Sequence, residues 1–165
     1  MINQSIRVFF MMAAACVAVQ VLAEDCATAV WNSGTTPVST TTTQVDSKGK
    51  TSISRTVQTM TDKYIQTENG QWHSVSISMK DLIDDRKSTK VTCRRIGSDT
   101  VNGVPTITYD VREENEDATV EGKIWISREN RVLKFEGGAE GVRFTTMYDY
   151  AHVTPPAGAM PLSSH

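Results

Sequence analysis

The sequence predicts a mainly β protein: a curved antiparallel sheet with one short covering helix. Three observations carry this reading. Turn chemistry recurs at close intervals, as "DSKGK" at 46–50, "ENGQ" at 68–71, "VNGVP" at 101–105, "ENEDA" at 114–118, "RENR" at 128–131 and "EGGAEG" at 136–141. Asn-Gly and Gly-rich steps supply the positive φ angles that tight hairpins need. Between the turns apolar and polar residues alternate with a period of two, the mark of strands with one buried face. A single stretch, at 77–88, changes to helical spacing.

In chain order, "MINQSIRVFFMMAAACVAVQVLAED" carries one basic residue, Arg7, then an apolar run from Val8 to Val19 and a small-residue end at Val21-Leu22-Ala23. This is the layout of a secretory signal peptide, so 1–23 are read as a leader cleaved after Ala23. "AAAC" ending at Cys16 also resembles a lipoprotein cleavage box. Against that, Ala13 stands where leucine is usual, and the residues after Cys16 stay apolar. The run is shorter than the roughly 20 apolar residues of a transmembrane helix. Removing the leader leaves 142 residues of net charge −3, a length that suits one domain, read as 24–156, with a flexible tail at 157–165. Arg94-Arg95 is the chain's basic cluster, too small to favour nucleic acid as a partner. Cys26 and Cys93 remain as an even pair, which in an exported chain reads as one disulfide. No CxxC spacing and no neighbouring His mark it as a redox site.

"TPVSTTTTQV" and "KTSISRTVQTM" are rich in Thr and Ser, as suits strands with one face open to water. "PTITYDVRE" sets Ile107, Tyr109 and Val111 on one face against Thr106, Thr108 and Asp110. "VEGKIWIS" sets Val120, Gly122, Ile124 and Ile126 against Lys123 and Trp125. "VRFTTMYDYAHV" groups Val142, Phe144, Thr146, Tyr148 and Tyr150. One committed face per strand means a sheet of about six or seven strands with a defined inside. In "ISMKDLIDDRKS", Ile77, Leu82 and Ile83 fall near helical spacing. Ser78 can cap, and Arg86 and Lys87 lie near the end, so a short helix over 79–87 is expected on the concave side.

The segments "RRIGSDTVNGVPTITYDV", "EGKIWISRENRVLKFEG" and "TTMYDYAHVTPP" resemble the periplasmic lipoprotein-carrier superfamily, the LolA/LolB-like half-barrel proteins, and related small exported proteins. The matching elements are Gly103, Pro105 and Tyr109, then Gly122-Lys123-Ile124-Trp125-Ile126, Leu133, and Tyr148-Asp149-Tyr150 with Val153, Pro155 and Pro156. They span about 60 residues, from Arg94 to Pro156. The resemblance implies an incomplete β-barrel whose concave face and covering helices enclose an apolar cavity for acyl chains. The chain departs from the carriers in its shorter length, its single evident helix and its threonine-rich first strands.

Residues suited to catalysis do not converge in the sequence. His73, His152 and His165 are isolated, without metal-ligand spacing. Ser127 sits at a hairpin entry, not in a G-x-S-x-G elbow. The acids of "DLIDDR" (Asp81, Asp84, Asp85) and "REENED" (Glu113, Glu114, Glu116, Asp117) read as solvated charge on a helix and in a turn. No cofactor or metal is expected. The reading is therefore an exported, periplasmic, non-enzymatic protein. It would hold a hydrophobic or amphipathic ligand, a lipid or lipoprotein acyl chain, against Ile77, Leu82, Ile83, Tyr109, Ile124, Ile126, Phe144 and Tyr148. Trp125, on the opposite side of the pleat, is expected as a surface contact. An envelope protein with a filled core that binds another protein, and a hydrolase with a dispersed site, are the alternatives.

Overall fold

The computed structural model describes residues 25–139 and 141–162, so the expected leader at 1–23 lies outside the described residues. Helix α1 covers 25–35. It is followed by β1 (Val38–Val45), β2 (Thr51–Gln58), β3 (Asp62–Gln66), β4 (Trp72–Ser76), α2 (Met79–Ser88), β5 (Lys90–Val101), β6 (Val104–Glu114), β7 (Thr119–Ser127), β8 (Val132–Ala139), β9 (Val142–Asp149) and β10 (Met160–Pro161). All ten strands form one sheet in the order β10-β4-β3-β2-β1-β9-β8-β7-β6-β5, with β10 and β5 as its two edges. Every neighbour is antiparallel except β10, which runs parallel to β4 along part of the segment expected as a tail.

Two hairpin meanders, β1–β4 and β5–β9, are zipped together by β1 and β9. The turn chemistry works as the sequence predicts at 46–50, 68–71, 101–105, 114–118 and 128–131. Glu136, Gly137 and Gly138 of the expected "EGGAEG" turn are instead paired residues of β8, where the two glycines permit close strand approach, and the positive φ falls on Gly141. Asn102 and Gly103 have φ of 50° and 80° and form a two-residue loop that places Val101 opposite Val104. In "ENEDA" the Asn115 side chain accepts the amides of Asp117 and Ala118 at 3.0 and 2.8 Å. The sheet exceeds the six or seven strands expected because β3 and β4 are only five residues long. In β5, moreover, a register shift between Arg95 and Gly97 interrupts the alternation.

The register defines an inner face. It carries Cys93 opposite Val111, Tyr109 opposite Ile124, Ile124 opposite Phe135, and Gly137 opposite Phe144. Helix α1 lies against it. Cys26 and Ala29 are fully buried there among Tyr109, Val111, Ile124, Ile126, Val132 and Phe135. At one end α1 is tied to β5 by the Cys26–Cys93 disulfide; at the other the Gln58 side chain donates to the Gly34 carbonyl at 2.7 Å. The inner cover is thus a helix additional to the expected one. Its signal was present in Cys26, Ala29 and Val30, an i, i+3, i+4 stripe of small residues.

Close approach governs the centre of the floor. Gly122 and Gly137 face each other across β7 and β8, and a Cβ built on Gly122 would lie 2.2 Å from the Glu136 carbonyl and 2.8 Å from the Phe135 ring. The ring fills the space that two side chains would otherwise take, and it stacks on Phe144 with centroids 5.4 Å apart. The outer face is charged in alternation. Arg94 stands opposite Asp110, Asp110 opposite Lys123, and Lys123 opposite Glu136, while Arg112 reaches Glu121 at 2.6 Å. Opposite charges on facing positions stabilise a sheet face that looks into water.

Candidate functional site

Helix α2 forms as the sequence predicts, with the Ser78 hydroxyl accepting the Asp81 amide at 3.3 Å and Arg86 and Lys87 in its last turn. It lies in the connection from β4 at one side of the sheet to β5 at the edge of the other. None of its residues is buried, so it bridges the half-barrel and leaves the filling of the core to α1. Its inward contact is with α1, where the Arg86 guanidinium lies 5.7 Å from the centre of the Trp31 ring.

Between α1, α2 and the sheet is a cavity of about 280 Å³, lined by Val30, Trp31, Leu82, Asp85, Arg86, Glu113 and Tyr148 among others. Its electrostatics are uneven. Burial, reinforced by the neighbouring Asp85 charge, pushes the Glu113 carboxyl above the usual carboxylate range. Burial also raises the Tyr148 phenol strongly, with the Tyr150 phenol and the Glu113 carboxylate adding to the effect. Neither Glu113 nor Asp85 makes an ion pair among the described residues.

Of the residues expected to line a ligand site, Leu82 and Tyr148 meet at this cavity. Tyr109, Ile124 and Ile126 are buried beneath α1, and Phe144 packs beside them; Tyr109 and Ile126 also back a separate hollow of about 330 Å³ at the start of α1, with Asp25 and Arg128 on its wall. Ile77 donates its amide to the Thr61 carbonyl at 2.7 Å, at the rim. Ile83 is 48% exposed and lies away from the cavity lining. Sequence reasoning names Trp31 among aromatic residues that could line a groove but misses Val30 and Glu113. It does not bring the three to one wall, because it has no helix at 25–35 to carry Val30 and Trp31 over the sheet.

Trp125 corrects an expectation. It does lie on the side opposite Ile124 and Ile126, yet it is only 6% exposed. Its cross-strand partners are Thr108 and Lys134. The Lys134 ammonium lies 4.4 Å from the ring centre, and the indole N–H donates to Asp99 at 3.1 Å. The ammonium covers the ring face while pairing with Glu136, so the indole is a packing centre of the outer face and not a free contact surface.

A larger groove, of about 690 Å³, opens on the other side, where Ser39, Thr41 and Met147 alternate with the inward Thr40, Thr42 and Tyr148. Of its ionisable groups, Asp149 is engaged with His152 and Tyr150 with Arg131, whereas Glu129 makes no ion pair among the described residues. Asp149 is held low first by the hydrogen bond from His152, 2.9 Å away, and then by the Ala151 amide. Burial pushes Tyr150 up to about 12 against the opposing charge of Arg131, which lies 5.2 Å from the ring centre. The inner cavity, with its unpaired carboxylates, is the better candidate.

No family model matches the chain, and no curated protein matches it in sequence. Among solved structures it is similar to LprF from Mycobacterium bovis, with 13% identity and a TM-score of 0.50 over 87% of this chain and 98% of that one. A looser overlay, with MucB, has 13% identity and a TM-score of 0.42 over 85% of this chain and 65% of the other, too distant to argue from. The likeness to LprF is one of fold, and it accords with the LolA-like half-barrel that the C-terminal segments resemble. No helix among the described residues is long and apolar enough to cross a membrane.

Proposed function

We propose that the protein is an exported, periplasmic, non-enzymatic carrier of a hydrophobic or amphipathic ligand, a lipid or lipoprotein acyl chain, held between the sheet and its two helices. The observation that carries this reading is the inner face itself. A continuous apolar floor from Ile107 to Phe144 is covered by a helix, α1, with a partly open cavity at its rim against α2. Removing such surface from water is worth about 25 cal/mol per Å², and an acyl chain entering at Leu82 and Trp31 would gain by that term without a covalent step. The disulfide supports export, because such bonds persist in oxidising compartments.

One observation favours a second reading, an envelope protein with a filled core that binds another protein. The cavity of about 280 Å³ lies just below the roughly 300–1,000 Å³ of most small-molecule sites. Native mass spectrometry of protein purified from its own compartment separates the two. A co-purifying lipid, displaced by a fluorescent fatty-acid probe, is expected. A clean apo mass with no probe binding would overturn the carrier reading and leave the filled-core protein.

A further inference from the structure

The cavity beneath the helices has a composition that an acyl chain alone does not explain. Two carboxylates reach it from different elements, Glu113 from β6 and Asp85 from α2, and the described residues offer neither an ion-pair partner. Two aromatic rings, Trp31 and Tyr148, share its wall. The cation already there, the Arg86 guanidinium, is on the Trp31 ring and not on either acid. Aromatic faces flanked by carboxylates attract desolvated cations through the ring quadrupole and direct charge pairing. A small hollow with one net negative charge and an arginine parked on its aromatic wall is complementary to an ammonium group. We infer that this cavity recognises the ammonium group of an amphipathic ligand, with Arg86 occupying the Trp31 face in the empty protein. The inference rests on the carrier reading and adds a headgroup class to it.

The raised titration of Glu113 gives the recognition a pH dependence. The groups facing it are Asp85 and Arg86 of α2 and Tyr148 of β9; burial first and then the Asp85 charge move its titration above the usual carboxylate range. As pH falls through the Glu113 titration its charge is lost, and ammonium binding should weaken while binding of a neutral chain does not.

The test is calorimetric titration of the disulfide-intact protein with three amphiphiles of one chain length, each kept below its micelle concentration: dodecyltrimethylammonium, dodecyl maltoside and dodecyl sulfate. The ammonium probe should bind at least about tenfold more tightly than the other two. Glu113→Gln should bring the three together. Arg86→Ala, which frees the Trp31 face, should tighten the ammonium probe severalfold, a gain that a merely structural role for Arg86 would not produce. Equal binding of all three by the wild-type protein would overturn the headgroup inference and leave the carrier reading standing, as would an unchanged ammonium preference in Glu113→Gln. Binding of none of the three would remove both.

Discussion

Strands β5–β9 and strands β1–β4 line the same inner surface with different chemistry. On the first side Ile107, Tyr109, Val111, Ile124, Ile126, Phe135 and Phe144 form the floor that α1 covers. On the second the inward positions of β1 are Val38, Thr40, Thr42 and Gln44 and those of β2 are Ser52, Ser54, Thr56 and Gln58. These are mostly hydroxyl-bearing residues that meet in cross-strand pairs, with Val38 the buried apolar exception. Thr40 and Thr56 hydroxyls are 2.6 Å apart, and Thr42 bonds Thr146 of β9 at 2.9 Å. The two halves have the same backbone pairing, so the difference lies in what holds them. The apolar half is held by burial, a disulfide and close packing, whereas the hydroxyl half is held by its ladder and by β-branched side chains that fit a pleated surface. Stability should therefore be unequally distributed, with the β5–β9 side carrying most of it.

The largest break in this asymmetry should come from the tether. Cys26 and Cys93 are 67 residues apart, and closing a loop of that size constrains the unfolded chain by roughly 4 kcal/mol in the loop-entropy model. Replacing both by serine should lower the denaturant midpoint accordingly. It should also raise binding of a hydrophobic dye, because α1 is then fixed to β5 by packing alone. A double variant with wild-type stability and dye binding would mean that α1 needs no tether. Next in size is Gly122→Ala. Its Cβ would collide with the Glu136 carbonyl and the Phe135 ring, and overpacking of this kind costs about 1–3 kcal/mol, read from the same denaturant curves. If it proves neutral, the floor is looser than the Phe135–Phe144 stack indicates.

The hydroxyl half should respond far less. Changing Thr42 and Thr146 together to valine removes both partners of one bond and leaves no orphaned group, which is close to neutral in general. The expected change in unfolding free energy is under about 1 kcal/mol, and a loss as large as that of Gly122→Ala would erase the asymmetry. The unequal halves also explain what the sequence disclosed. Strands β6, β7 and β9 were legible because each alternates strongly apolar residues with polar ones, and Ser78 with Arg86 and Lys87 marked α2. Strands β3 and β4 were not, since Asp62–Gln66 and Trp72–Ser76 are too short to show a period and face inward with mixed residues such as Lys63 and His73. The site was half legible. Leu82 and Tyr148 carried an apolar signal, while Trp31 and Glu113 depend on a helix of small residues and on a strand end that reads as solvated charge.

The smallest effect tests the lip of the apolar half through two adjacent acids that point to opposite faces. Glu113 has its carboxyl raised by burial and by Asp85, so the folded state holds that proton more tightly than the unfolded chain does. Its contribution to stability is complete below the ordinary glutamate value of 4.5 and is lost as pH rises through the raised folded value. Glu114, on the outer face, is lowered first by its hydrogen bond to Arg112 and then by that residue's charge. Its contribution is complete above the ordinary value and is lost as pH falls through the depressed one. Glu113→Gln should therefore raise the melting temperature at neutral pH, with the gain vanishing toward pH 4. Glu114→Gln should lower it at neutral pH, with the loss vanishing at more acid pH. Thermal unfolding of both variants across that range would show curves of opposite sign. Curves of the same sign would mean that Glu113 is as wet as its neighbour, which would remove the buried carboxylate from the inner cavity and the ammonium preference with it.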